Sequence, residues 1–205
     1  MRTTRKPSEL AGPYLGRASR ETSDEVLIRL ISQRDRDAMQ VLFARHYVKV
    51  YRFIRRLIGN ASLAEDIVGE VFLDVWRRGD SFEGKSQVST WLLAIARNKV
   101  LAASRRVQAM PLDDDLAASL VDPADGPETA LNRTRRNAIL RKCLERLSPA
   151  HREVIDLVYY HEKSVEEIAQ IVGVSEGTVK SRAFYARRQI AELLRTAGMA
   201  ELPAC

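Results

Sequence analysis

The sequence predicts an all-α protein made of two small helical domains, joined by an acidic flexible linker and ending in a C-terminal helix-turn-helix. Three observations support this. Apolar residues recur at helical spacing over two long stretches, no stretch alternates as a strand of useful length would, and an acidic segment divides the two stretches. We assign residues 1–22 to a basic disordered tail and residues 23–106 to the first domain. Residues 107–130 form the linker, residues 131–197 the second domain and residues 198–205 a final tail.

Four helices are predicted in the first domain. Ser23 can cap a short helix that runs to Ile31, and apolar residues continue the pattern over residues 36–57, where Gly59 and Asn60 end it. Ser62 and Glu65 have the spacing of a capping box, which predicts a third helix over residues 62–78. A turn-rich loop over residues 80–87 then precedes a fourth helix, over residues 89–106.

The linker is identified by its composition. Residues 107–130 hold no Lys or Arg, three prolines and a set of acidic residues: Asp113, Asp114, Asp115, Asp122, Asp125 and Glu128. Adjacent carboxylates in such a segment lack the helical spacing of a metal site, so we expect no metal there. Helical patterning resumes near Glu128 and continues to Leu147.

The second domain contains strong helix-start signals. Ser148 can cap a helix with Pro149 at its first position, and Ser164 with Glu167 forms a second capping box. Gly173 supplies a tight turn, after which Ser175 can cap the last helix. A small residue, a turn glycine and an apolar anchor at Ala169, Gly173 and Val179 fit a helix-turn-helix.

The last helix has one apolar and one polar face. At about 100° per residue, an apolar row predicts the buried side: Val179, Ala183, Ala186, Ile190 and Leu194. The opposite face carries Thr178, Ser181, Phe184, Tyr185 and Arg188, and Lys180, Arg182 and Arg187 lie on the flanks. Short polar and planar groups can meet base edges in the major groove while cations contact phosphates, so this face predicts DNA binding.

Composition agrees with an anionic partner and excludes several classes of protein. The 205 residues hold 33 Lys and Arg against 27 Asp and Glu, a net charge of +6. No apolar run approaches the roughly 20 residues of a membrane span, so we expect a cytoplasmic protein without direct membrane insertion. Cys143 and Cys205 form no metal-binding spacing, and we expect no cofactor.

Three motifs in order resemble one known family. "SPAHREVIDLVYYHEKSVEEIAQIVGVSEGTVKSRAFYARRQIAELL" is similar to the DNA-binding domain of extracytoplasmic-function sigma factors, a branch of the bacterial sigma-70 family. "AEDIVGEVFLDVWRR" resembles that family's helix for core RNA polymerase, and "STWLLAIARNKVLAASRR" its promoter-opening helix.

The resemblance implies a set of roles, written here with this chain's numbers. The last helix would read the −35 element. The third helix would bind the β′ clamp helices of the polymerase through Asp66, Glu70, Leu73, Asp74 and Arg77. The loop and fourth helix would capture the −10 strand through Phe82, Lys85, Trp91, Arg97, Asn98 and Arg105. The polymerase β flap, promoter DNA and an anti-sigma factor are the other partners implied.

Two other functions remain open from the sequence alone. A conventional helix-turn-helix regulator would bind duplex DNA without polymerase. An enzyme with an added DNA-binding domain is disfavoured because His46, His151 and His161 are isolated and no nucleophile-base grouping or glycine-rich phosphate loop occurs, so no small-molecule substrate is expected.

Overall fold

The computed structural model describes Ser19 and residues 21–108, 139–140 and 142–196. Every regular element in those ranges is a helix, which confirms the all-α prediction. The two predicted tails and the acidic linker lie almost wholly outside the described residues, as does the start of the helix expected from Glu128.

The first helical group contains four α-helices around one core. Their bounds are α1 Asp24–Ser32, α2 Arg36–Ile58, α3 Ala61–Arg78 and α4 Val88–Gln108, with a 3₁₀ turn at Gly79–Ser81. Apolar side chains from each helix are fully or almost fully buried against one another, among them Leu27, Leu42, Phe53, Val71 and Leu92. Burial of these apolar faces stabilises the group.

Helix α2 ends where the sequence predicts. Gly59 follows its last residue with a φ of 79°, and its N–H donates to the carbonyl of Arg55 at 2.9 Å. Glycine takes this left-handed conformation without a steric penalty. At the other end Asp35 Oδ1 accepts from the N–H of Ala38 at 3.0 Å. The predicted cap of α1 is wrong in one respect, because Ser23 holds the cap position without a side-chain hydrogen bond.

The predicted capping box of α3 is wrong. Helix α3 begins at Ala61, and Asn60 is its cap: its side-chain oxygen accepts from the N–H of Leu63 at 3.0 Å. Because the helix starts one residue before Ser62, that serine lies within the first turn and is exposed. The extended backbone of Asn60, with φ −102° and ψ 124°, allows the short amide to reach back onto the turn.

The second helical group contains the predicted helix-turn-helix. Its labelled helices are α5 Pro149–Tyr159, α6 Val165–Val172 and α7 Glu176–Thr196. Both bonds of the Ser164 and Glu167 capping box are present, at 3.2 and 3.0 Å, and Gly173 ends α6 with a φ of 68°. The Ser175 hydroxyl accepts from the N–H of Thr178 at 3.3 Å and caps α7.

The two groups pack against each other. Buried residues of α5 and α6 belong to the same contiguous apolar core as α1 to α4, including Leu157, Ile168 and Val172. Helix α4 lies between α2 and α3 on one side and α6 on the other. The expectation of two domains joined by a linker therefore leaves out the core that the two groups share. We call one part of this contact the seam: it is formed by residues 87–97 of the first group and by Glu153, Lys163 and α6 of the second.

Glu167 occupies a polar cluster inside this seam. It accepts from Thr90 Oγ1 at 2.5 Å and from Lys163 Nζ at 2.7 Å. Burial by itself raises the pKa of the Glu167 carboxyl, but hydrogen bonds from Lys163, Thr90 and the Ser164 backbone outweigh it and lower the pKa to about 2. The ionised carboxylate is therefore part of the folded structure.

The first prediction concerns the cap of α3. We expect Asn60→Ala to lower the free energy of unfolding by about 1 kcal/mol, because the N–H of Leu63 loses its acceptor. The matched change Ser62→Ala, at the position that the sequence pattern favours, is expected to cost less than about 0.5 kcal/mol. Urea denaturation of both variants measures the difference; equal losses would contradict the assignment of Asn60.

The second prediction concerns pH. A carboxyl whose pKa is lowered on folding stabilises the protein above its ordinary pKa of 4.5, and that stability is lost as pH falls towards 2. Glu167→Gln can keep the capping box but removes the charge. We expect it to cost about 3 kcal/mol at pH 7 and progressively less below pH 4.5.

Urea denaturation at a series of pH values checks this expectation, with Glu166→Gln as the control. Glu166 is the exposed neighbour on the same helix and loses the same charge. A cost for Glu167→Gln that stays constant from pH 7 to pH 3 would contradict the assignment.

Candidate nucleic-acid interface

Helix α7 is anchored so that one face must point outwards. Val179, Ala183, Ala186 and Leu194 are buried, and Ile190 packs with Ala186 against Leu147 and Ile155. These are the residues that the helical wheel predicts for the core side, and the structure confirms that side. The remaining face of α7 is left to solvent.

The outward face of α7 brings together the residues predicted to contact DNA. Lys180, Ser181, Phe184, Tyr185, Arg187 and Arg188 are exposed, and Thr178 and Arg182 are half-buried at its edge. The Phe184 and Tyr185 rings meet edge to face with centroids 5.5 Å apart, and each residue is 56% exposed. Two adjacent exposed aromatic residues flanked by cations suit a partner that is planar and anionic.

A groove lies beside α4 in the first helical group. Its volume is about 410 Å³, and its lining residues are Asp74, Arg78, Ser81, Trp91, Ile95, Asn98, Lys99 and Ala102. The Phe82 and Trp91 rings pack against each other with centroids 5.2 Å apart, and both side chains are half-buried against the core. Trp91 therefore both packs on the core and borders the groove.

The other residues predicted for the −10 strand divide into two sets. Lys85, Asn98 and Arg105 are exposed. The hydrogen bond that Lys85 donates to the Glu83 carboxylate, together with the negative charge of Glu83, raises the pKa of Lys85, which remains a cation. Arg97 is different, because its Nε donates to Glu153 Oε1 at 2.6 Å and its side chain is only 18% exposed. In this arrangement Arg97 is turned towards the second helical group and away from the groove.

The predicted polymerase-binding residues of α3 also divide. Asp66, Glu70, Leu73 and Arg77 are exposed, and Leu73 is 43% exposed among charged neighbours. Asp74 is not on this outer surface: it accepts from Lys99 at 2.9 Å and from Arg78 at 3.1 Å, and it lines the groove.

The ion pairs of Asp74 set its charge. Burial by itself raises the pKa of Asp74, but the hydrogen bond and charge of Lys99, followed by those of Arg78, outweigh it and lower the pKa. Lys99 also lies 3.3 Å from Glu70, and its pKa is raised by the Asp74 hydrogen bond. Asp74 and Lys99, which both line the groove, thus form an ion pair there.

Sequence reasoning missed part of the groove. Ile95, Lys99, Arg78, Ser81 and Ala102 all line it, although none was singled out as a DNA contact. Ile95 could have been found, because it lies one helical turn from both Trp91 and Asn98. Arg78 and Ser81 come from the end of α3 and the following turn, so only the packed structure brings them to α4.

Neither a metal centre nor a membrane span is found in the described ranges. No group of three or more His, Cys, Asp or Glu side chains there is placed to hold a metal ion. Among the helices described, none is long and apolar enough to cross a bilayer.

Two family models match the chain, and each covers one helical group. "Sigma-70 region 2" matches residues 42–109, which include most of α2 and all of α3 and α4. "Sigma-70, region 4" matches residues 137–190, which include α5, α6 and most of α7.

Curated relatives are similar to this chain along most of their own length. RNA polymerase sigma factor CarQ of Myxococcus xanthus is 34% identical over 161 residues, 77% of this chain and 90% of the relative. ECF RNA polymerase sigma factor SigL of Mycobacterium tuberculosis is 30% identical, covering 78% of this chain and 91% of the relative. The ECF RNA polymerase sigma-E factor of Escherichia coli K12 is also 30% identical, with coverages of 84% and 94%.

Solved structures share the fold. The sigma factor RpoE of Bartonella quintana, crystallised with the anti-sigma factor NepR, is 30% identical with a TM-score of 0.60, covering 75% of this chain and 94% of that one. CnrH, solved with the cytosolic domain of CnrY, has a TM-score of 0.63 at 24% identity over 85% of this chain and 99% of that one, and supports the fold alone. Both regions and the full-length relatives lead to one conclusion: the chain belongs to the extracytoplasmic-function sigma factors of the sigma-70 family, which bind core RNA polymerase and direct it to promoters.

Proposed function

We propose that this sigma factor divides promoter recognition between its two helical groups, with α7 on the −35 duplex and the α4 groove on the unpaired −10 strand. The observation that carries the proposal is the outward face of α7, where exposed aromatic and basic side chains share one side of the second helix of a helix-turn-helix. This helix is the element that enters the major groove in proteins built on that motif.

The α7 face has the chemistry of duplex recognition. Ser181 and Tyr185 offer hydroxyl groups to base edges, and Phe184 offers a ring to the thymine methyl group. Lys180, Arg182, Arg187 and Arg188 flank them, and cations in such positions contact phosphates. Lys180 also pairs with Glu176 at 3.3 Å on the exposed surface, a contact too weak to hold it away from DNA.

The α4 groove suits an extruded base of a single strand. Binding of single-stranded DNA combines cations along the backbone with a stacking surface or pocket. Trp91 and Asn98 border the groove, and Lys85 and Arg105 are exposed. Because Asp74 and Lys99 neutralise each other at the groove, the selectivity we propose comes from shape and hydrogen bonds there and not from net charge.

The outer face of α3 is the proposed contact for the polymerase β′ clamp helices. Leu73 is an exposed apolar residue among Asp66, Glu70 and Arg77, the composition of an interface centre with a polar rim. Asp74 contributes indirectly in this proposal, by holding Lys99 and Arg78. The second helical group is proposed to contact the β flap.

Control by an anti-sigma factor completes the proposal. The Bartonella quintana sigma factor that shares 30% of its residues with this chain was crystallised with such a partner. We place the protein in the cytoplasm, where its polymerase acts, and assign it no catalysis of its own. The conventional regulator left open by the sequence is set aside, because the family matches cover both helical groups.

Reconstituted transcription tests the proposed function. Core RNA polymerase is assayed with and without the protein on a library of promoter fragments. We expect new start sites that share paired −35 and −10 sequences. Leu73→Ala should weaken binding to core polymerase by about tenfold, because an interface residue of this kind contributes about 1 to 2 kcal/mol.

Val48→Ala is the matched control, since Val48 is exposed to a similar degree, 49%, but lies on α2. If both variants bind core polymerase as tightly as the native protein, Leu73 is not at the interface. If no start site depends on the protein, the division of promoter recognition fails as a whole.

A further prediction concerns the flank of α7. Arg187→Ala is expected to weaken holoenzyme binding to promoter duplexes of different −35 sequence by a similar factor. It should also make the negative slope of log affinity against log salt concentration shallower by about 1, because one phosphate contact is lost. Arg195→Ala, an exposed arginine in the last turn of the same helix, is the control. A loss confined to one −35 sequence would instead assign Arg187 to a base.

A further inference from the structure

Two aromatic side chains, Phe184 and Tyr185, lie next to each other on the outward face of α7. Each residue is 56% exposed, and their rings meet edge to face at an interplanar angle of 77°, with centroids 5.5 Å apart. Apolar ring surface that stands in water is stabilised when a partner covers it. The two rings therefore form a contact surface that the fold itself leaves uncovered.

The charges around the two rings favour a nucleic acid as that partner. Lys180, Arg182 and Arg187 flank the rings on the same helix, and Lys180 and Arg187 are exposed. Cations on both flanks match the two phosphate strands that border the major groove. In that arrangement the rings lie between the strands and meet the edges of the bases.

The helix backbone under the two rings is held in place. Ala183 and Ala186, which enclose the pair in sequence, are 6% and 0% exposed. Ala183 belongs to the main apolar core, and Ala186 packs in the second cluster with Leu147. Because both neighbours are anchored, little backbone freedom remains to be lost when the rings meet a partner.

The outward face of α7 is long enough to cover about three base pairs. Ser181, Phe184, Tyr185 and Arg188 share this face and are all exposed. At a rise of about 1.5 Å per residue, Ser181 and Arg188 are about 10 Å apart along the helix axis, and base pairs are stacked about 3.4 Å apart. The aromatic pair occupies the middle of this span, between a hydroxyl and a guanidinium.

The chemistry of the rings limits which base they can favour. Phe184 carries no hydrogen-bonding group, and the 5-methyl group of thymine is the apolar feature of the major-groove edge. A ring that covers the amino group of cytosine or N7 of a purine leaves a polar group without a partner, which costs free energy. The Tyr185 hydroxyl can make a hydrogen bond, but neither ring offers the paired donors with which arginine selects guanine.

We propose that Phe184 and Tyr185 form a methyl-reading pair, which selects a thymine near the centre of the −35 element by contact with its 5-methyl group. The inference rests on the proposed role of α7 and adds the base that the middle of the helix reads. Ser181 and Arg188 contact the neighbouring base pairs, so the pair determines one central position of the element.

Removal of single methyl groups from the DNA tests the methyl-reading pair. Deoxyuridine pairs with adenine as thymidine does and lacks only the 5-methyl group. In a promoter found by reconstituted transcription, each thymidine of the −35 element, on either strand, is replaced singly by deoxyuridine, and holoenzyme binding is measured by competition. We expect one central replacement to weaken binding about fourfold, the factor that one buried methyl group contributes.

Variants assign the methyl contact to the two rings. In Phe184→Ala and in Tyr185→Ala, the ratio of thymidine to deoxyuridine affinity at that position should fall from about fourfold to less than about twofold. Tyr159→Ala removes a ring of similar exposure, 57%, from the end of α5 and should keep the native ratio. Arg187→Ala should weaken binding and also keep the ratio, because a phosphate contact does not sense the methyl group.

Two results overturn the proposal. The first is a change of less than about 1.5-fold at every deoxyuridine position with the native holoenzyme, a series that does not depend on the folding of any variant. The second is a ratio that stays near the native value in both aromatic variants, which assigns the methyl contact to another residue. Weaker binding of those variants to core polymerase would then place the rings on the polymerase.

The readouts separate this inference from the proposed function. If no start site depends on the protein, or if the start sites share no −35 sequence, the proposed role of α7 fails and the inference fails with it. If the start sites share a −35 sequence and no methyl group in it affects binding, only the methyl-reading pair fails.

Discussion

The burial of α4 on two sides is the constraint on which the rest of the structure depends. Leu92, Ala96 and Val100 pack into the core of the first helical group, and Thr90 and Arg97 face the second group. A helix can satisfy two neighbours because residues three or four apart share a face and successive residues do not. The position of α4 fixes the groove, the seam and the direction in which the second group presents α7.

Charge is used differently on the surfaces of the protein. On α7 several cations remain exposed beside two aromatic rings, and exposed cations attract an anionic partner at long range. At the groove, Lys99 is balanced by Asp74 and Glu70, so the field there is short-ranged. In the seam, opposite charges are buried in pairs. Exposed positive charge is therefore available on α7, where duplex DNA is expected.

Specific polar bonds set the orientation of the second helical group on α4. Apolar residues such as Ile168 and Val172 supply contact area at the seam, but its directional contacts are hydrogen bonds and ion pairs that water can replace. The placement of the second group therefore combines an apolar core shared by both groups with specific pairs, such as Arg97 and Glu153, that fix its orientation.

The sequence by itself determined the all-α fold, most helix ends, the helix-turn-helix and the two faces of α7. These features depend on local geometry: Gly59 and Gly173 take a left-handed φ, Ser164 with Glu167 closes a capping box, and apolar spacing sets the buried face. Even locally the assignment of Ser62 as the cap of α3 was wrong, because the helix begins one residue before it and Asn60 caps the first turn. Only the tertiary structure decided that Asp74 turns to Lys99 and that Arg97 binds Glu153, 56 residues away. No local period encodes such a partner, because it depends on how two separately patterned groups of helices meet.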